Sequence, residues 1–196
     1  MAFGSYDAGL RDLIHLLKYE QVRPAAAELG RRLAEAVACL ETSLPKGAIP
    51  VVPVPLHAHK RAQRGFNQAE LIARVAIKHL VRPDLQLSPG VLVRTRETVS
   101  QIGLTRHQRR QNLRGAFEVV NPAAIAQRDI LLVDDVFTTG TTVSECARVL
   151  RRAGAARVWV ATVARTLKTV EAFALRDDFW KKESESEARP AMAAGG

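Results

Sequence analysis

Ile130-Leu131-Leu132-Val133-Asp134-Asp135-Val136-Phe137-Thr138-Thr139-Gly140-Thr141-Thr142 carries more structural information than any other stretch of the chain. Four branched apolar residues without a polar interruption read as a strand buried on both faces. Two adjacent carboxylates stand where that strand is expected to end. A hydroxyl-rich turn with one glycine follows, and Val143, Cys146, Ala147 and Leu150 then repeat at helical spacing. This order puts acids and helix-N-terminal N–H groups at the carboxyl edge of a parallel sheet, where α/β proteins hold ligands. The amides suit a phosphate, and the carboxylates suit ribose hydroxyls or a magnesium ion bridging to them. An ordinary capped strand-turn-helix would explain the turn, but not paired acids directly followed by TTGTT.

Outward from this stretch the chain alternates strands and helices. Gly154 is placed to end the helix in the left-handed conformation, and Val158 to Val163 reads as the next strand. Upstream, Leu10, Leu13, Ile14 and Leu17 form one apolar stripe, and Leu29, Leu33, Ala36, Val37 and Leu40 form another, with Pro24 between them. Pro45-Lys46-Gly47 marks a turn, Ile49 to Leu56 a buried strand ending in Pro53-Val54-Pro55, and Ala69 to Leu80 a helix. Val91 to Val93 and Ala116 to Val120 read as short strands separated by a long polar segment. The pattern predicts an α/β fold with a mostly parallel central sheet flanked by helices and right-handed crossovers. A single domain is expected over 1–180, its helical part over 1–47 and its α/β core over 48–180. Residues 181–196 read as a disordered tail.

The chain has 196 residues, with 29 Lys and Arg against 20 Asp and Glu, a formal net charge of +9. That balance favours polyanions such as nucleic acid, nucleotides or pyrophosphate. No apolar run is long enough for a membrane span, and the N-terminus does not read as a secretory signal. A cytoplasmic protein is expected, with no membrane partner. Cys39 and Cys146 lie far apart on apolar helical patterns and read as buried free thiols.

Two further regions suit anions. Val52-Pro53-Val54-Pro55-Leu56 leads into Lys60, Arg61, Arg64, Gly65, Phe66, Asn67 and Gln68, joining a strand end to a helix start. Arg94 to Arg114 holds six arginines against Glu97 alone, and its length suggests a lid that would exclude water from a hydrolysis-prone transition state. On charge alone it reads equally as a solvated loop or a nucleic-acid contact. His57 and His59 have no neighbouring cysteine or acid in sequence and read as loop side chains rather than metal ligands.

The stretch 130–142 resembles the phosphoribosyl-pyrophosphate (PRPP) motif of type I phosphoribosyltransferases. PVPL…K-R…RGFNQ, then RTRET…QIGLTR…RRQNLRGAF, then LLVDDVFTTGTT together resemble the competence protein F (ComF) family across about residues 8–165. The resemblance implies a type I phosphoribosyltransferase-like fold, with a small hood from the N-terminal helices and the flexible loop. It also implies a phosphoribosyltransferase, a pentosyl-group glycosyltransferase, that moves ribose-5-phosphate from PRPP to an acceptor and releases pyrophosphate. Asp134 and Asp135 become the ribose or Mg2+ acids, and Thr138, Thr139, Gly140, Thr141 and Thr142 the 5′-phosphate loop. Val54, Pro55 and Leu56 fall at the pyrophosphate loop, with Arg64 and Asn67 just after it. Gln101, Arg106, Arg110 and Asn112 fall in the flexible-loop signature, with Gln101 assigned to pyrophosphate and Arg106 and Arg110 to catalysis. Lys18 and Tyr19 match the first-helix signature, which a helix end facing the hood explains equally well.

Many ComF members carry a four-cysteine zinc ribbon. This chain has no CxxC pair, so no zinc is expected, the ribbon being lost or the gene start lying further upstream. Thr138 stands where 6-oxopurine transferases place an aspartate that exchanges a proton with the base. A neutral hydroxyl accepts a proton poorly near neutral pH, so the hypoxanthine or guanine reaction is disfavoured and the acceptor is not identified. A homodimer is expected. The alternatives are a non-catalytic accessory of natural competence and DNA uptake, binding nucleic acid or a partner protein, and a PRPP-sensing regulator.

Overall fold

The computed structural model describes residues 1–98 and 105–166. Its described part is one unit, Met1–Thr166, and Gln101 and the expected tail lie outside the described residues. Five strands form an all-parallel sheet in the order β1 (Ala2–Ser5), β7 (Arg157–Arg165), β6 (Asp129–Phe137), β2 (Ile49–Pro53), β3 (Leu85–Leu87). β4 (Leu92–Arg94) and β5 (Phe117–Val119) form a separate antiparallel ribbon.

The helices cover both faces because β2 is buried throughout and β6 buries Ile130 to Val133 in succession. On one face, α1 (Ala8–Tyr19), α2 (Ala25–Ala38) and α4 (Gln68–His79) supply Ile14, Leu17, Leu29, Leu33, Ile72 and Ala73 against Val51, Leu131 and Val133. On the other, α6 (Thr141–Arg152) and the ribbon supply Val143, Cys146, Leu150, Leu92 and Phe117 against Val52, Ile130 and Leu132. α2 and α4 approach closely at Gly30, where an added Cβ would lie 2.4 Å from the Val75 Cβ.

The connections set the site. From β2 the chain passes through α3 (Ala58–Arg64) and α4 to β3 on one side, whereas from β6 it passes through α6 to β7 on the other. β2 and β6 are neighbours whose crossovers diverge to opposite faces. This is the topological switch point at which open α/β sheets leave a crevice beyond the strands' carboxyl ends. α1 starts and finishes at that edge: the Tyr6 N–H donates to the Arg165 carbonyl, and Lys18 reaches Asp135.

Three expectations are corrected. β6 does not end at Val133 but runs through Phe137, so both acids are strand residues and take its alternation. The Arg94–Arg114 segment is not loop throughout: α5 (Arg106–Leu113) occupies its second half, begun by a capping box between Thr105 and Gln108. Cys39 is exposed just beyond α2, where only Cys146 is a buried thiol.

Candidate functional site at the β2–β6 crevice

Asp134 is half-buried, and its Oδ1 accepts the Asp135 N–H at 2.9 Å. Asp135 is 4% exposed, and its Oδ2 lies 2.8 Å from Nζ of Lys18, itself largely buried. Burial alone would lower the Lys18 pKa, but the charge of Asp135, their hydrogen bond and the charge of Asp134 outweigh it, so the pKa is raised. Burial, and then the negative Asp135 beside it, push Asp134 up to about 8.

The turn between β6 and α6 is built for close approach. Gly140 has φ 73°, and an added Cβ there would sit 2.5 Å from the Phe137 ring. The Thr139 and Thr141 hydroxyls are 2.8 Å apart, and the Thr166 hydroxyl donates to the Thr138 carbonyl at 3.2 Å. The first intrahelical bond runs from the Ser144 N–H to the Gly140 carbonyl at 2.9 Å. The first turn of α6 carries neither a side-chain cap nor an acid. Its N–H groups and dipole favour an anion.

Across the crevice, the Val54 N–H donates to the Val133 carbonyl at 2.8 Å, tying the chain after β2 to β6. Asn67, 6% exposed, donates Nδ2–H to the Val54 carbonyl at 3.0 Å and accepts the Ala69 N–H at 3.0 Å. One buried amide thus caps α4 and fixes the Val54-Pro55-Leu56 turn. The Arg64 guanidinium lies 5.3 Å over the Tyr19 ring and donates to Gln68 at 3.2 Å. It also opposes the charge of Lys18.

The structure therefore brings together Asp134, Asp135, the 138–142 turn, Val54 to Leu56, Asn67 and Arg64. Arg110 is exposed in the last turn of α5, and the Arg106 side chain and Gln101 lie outside the described residues. Lys18 was legible only as part of a signature, since nothing in its spacing foretells an ion pair with Asp135. Arg94 is a second addition. Its strand end pairs with His57 beside the Val54 turn, its guanidinium lies 5.6 Å over Phe117, and it donates to Thr98. Its Nε is buried without a hydrogen-bond partner. Burial lowers its pKa, against the attraction of Asp134 and other acidic groups. Sequence gives no sign that Glu97 reaches His59, yet the two pair at 3.1 Å. Among the described residues no group of three or more His, Cys, Asp or Glu side chains could hold a metal. No described helix is long and apolar enough to cross a membrane.

Comparison with known proteins finds relatives over most of the chain. The model of the phosphoribosyl transferase domain matches residues 64–188, more than half of the chain. DNA utilization protein YhgH of Escherichia coli K12 is 36% identical over 163 residues, covering 83% of this chain and 70% of that protein. Competence protein F of Haemophilus influenzae is 33% identical over 167 residues, with the same coverages of 83% and 70%. Among solved structures, a hypoxanthine-guanine phosphoribosyltransferase from Bacillus anthracis is 13% identical, with a TM-score of 0.48, covering 73% of this chain and 72% of that one. The chain belongs to the phosphoribosyl transferase domain family, among relatives named competence protein F and DNA utilization protein YhgH.

Proposed function

We propose that the chain binds PRPP at the β2–β6 crevice and transfers its ribose-5-phosphate to an acceptor, releasing pyrophosphate. One observation carries this reading. The switch point faces the Val54-Pro55-Leu56 turn and the Asp134–Thr142 segment toward one crevice, beside the acid-free first turn of α6. The 5′-phosphate would lie at the Thr138–Thr142 turn, where backbone amides and the helix dipole favour it. The pyrophosphate would lie by Val54 to Leu56, with Arg64 and Arg94 supplying positive charge.

Oxygen donors of the Asp134 kind suit magnesium held jointly with substrate oxygens. Bound there, Mg2+ would neutralise part of the leaving pyrophosphate's charge. The residues themselves act by position and field. Asp134 meets ribose hydroxyls, the turn amides hold the phosphate, and the arginines favour the pyrophosphate anion as it departs. Thr138 cannot serve as a base near neutral pH, so a 6-oxopurine acceptor is disfavoured.

Calorimetric titration of PRPP with magnesium tests the site. Asp134→Asn combined with Asp135→Asn is expected to abolish binding while the fold persists, and unchanged affinity would overturn the assignment. Magnesium-dependent pyrophosphate release across a panel of acceptors tests the reaction. A second reading is favoured by the net charge of +9 and by the names of the relatives: a DNA-handling accessory that binds nucleic acid or a partner protein. DNA affinity that falls steeply with salt and ignores PRPP would favour it. PRPP-dependent partner binding without turnover would instead mark a regulator.

A further inference from the structure

The two adjacent acids of β6 have different surroundings. Strand alternation sends Asp134 to the face of Ile130 and Leu132, which pack with Val143 and Cys146 of α6. It sends Asp135 to the face of Leu131 and Val133, which pack with Ile14 and Leu17 of α1. Asp134 is half-buried and commits Oδ1 to the Asp135 N–H. Asp135 is 4% exposed, with Lys18 Nζ 2.8 Å from its Oδ2.

We infer that Lys18 is the resident cation of Asp135: its ammonium holds the place beside that carboxylate which a divalent ion would otherwise take, leaving Asp134 alone of the pair for a ribose hydroxyl or metal ion. The inference deepens the PRPP reading and rests on it. Leu17, 1% exposed, anchors the last turn of α1 in the core, so Lys18 is delivered by a packed helix. A carboxylate buried as deeply as Asp135 needs a charge partner, and Lys18 provides it before any ligand arrives. A magnesium ion at Asp135 would have to displace that ammonium and find room for the waters it retains. Asp135 is thus a positioning residue, whose N–H orients the Asp134 carboxylate.

Manganese titration of the full chain, followed by electron paramagnetic resonance with PRPP present, separates the two acids. Asp134→Asn should weaken Mn2+ binding by at least about tenfold, as loss of a ligand does. Lys18→Met with Asp135→Asn, which removes both charges of the pair together, should weaken it several-fold less than Asp134→Asn does. Melting temperatures test the pair without ligand: Lys18→Met should lower the midpoint, and Lys18→Met with Asp135→Asn should restore most of the loss. Equal loss of manganese in Asp134→Asn and in Lys18→Met with Asp135→Asn would overturn the division of roles. Equal melting of Lys18→Met and the double variant would overturn the pairing. A wild-type chain that takes up no manganese with PRPP overturns the function reading, and the assignment of Asp134 with it, while the melting arm still decides the Lys18–Asp135 pairing.

Discussion

Replacing Gly140 with alanine places two separate strains on the turn between β6 and α6. The first is conformational. Gly140 has φ 73°, and a side chain in that left-handed region costs about 1–2 kcal/mol. The second is steric, because the new Cβ would lie 2.5 Å from the tip of the Phe137 ring. That ring is 36% exposed, so it can move outward at about 0.5–1.5 kcal/mol of rotamer strain. Alanine also stiffens the unfolded chain, which returns about 0.4–1 kcal/mol to the folded state. The balance is a net loss of about 1–2 kcal/mol. Urea unfolding should show a lower midpoint with an unchanged slope. Phe137→Leu in the Gly140→Ala background should recover the steric share and leave the conformational share. PRPP affinity should fall in both variants, because the turn amides shift with Gly140. A Gly140→Ala chain within about 0.3 kcal/mol of wild type would refute the strain argument.

Three other perturbations have defined outcomes. Gly30→Ala gains about 1 kcal/mol of helix propensity yet pushes a Cβ to 2.4 Å from the Val75 Cβ, so a net loss of about 1–2 kcal/mol is expected, with rescue by Val75→Ala in thermal melts. Asn67→Ala removes the α4 cap and the donor to the Val54 carbonyl together, and should lower stability by about 2 kcal/mol by denaturant titration. Asp134 is raised by burial and by Asp135 from an ordinary 3.8 to about 8, so the folded chain binds this proton more tightly than the unfolded chain. Its contribution to stability is full below the unfolded value and is lost as pH rises toward about 8, so the unfolding midpoint should fall over that range and Asp134→Asn should flatten the profile.

The elements that sequence located best were those whose side chains repeat at one period. The α2 stripe of Leu29, Leu33 and Val37 and the α6 stripe of Val143, Cys146 and Leu150 became buried helix faces, because a period of 3.6 over twelve or more residues has few other readings. Short elements lacked that signal. β1 has four residues, β3 three and α3 seven without a buried residue, too few for a period to register. α5 was hidden by composition: Arg106 to Leu113 is strongly polar, and its Thr105–Gln108 capping box was the available mark of a helix start. The extent of β6 was misread because acids rarely continue a buried strand, and here Lys18 makes one tolerable at Asp135. The residues of the β6–α6 turn were legible, whereas Lys18 and Arg94 reach the crevice through contacts that no local pattern encodes.

The charges gathered at the crevice argue for what it can hold. Lys18 and Asp135 form an ion pair, and burial and then Asp135 raise the Asp134 pKa. Arg64 and Arg94 bring positive charge from two different segments, and the acid-free N-terminus of α6 adds the positive end of a dipole. A crevice of that balance attracts a ligand with anionic groups at separate points and gives a neutral sugar little hold. The burial of Asp135 explains why a lysine, rather than an apolar residue, stands in the last turn of α1. With Asp135 unpaired, a deeply buried carboxylate would stand uncompensated, and the ammonium supplies the partner it needs. On the proposed reading, positive charge at the phosphate ends would favour departure of pyrophosphate from a ribose held over β6.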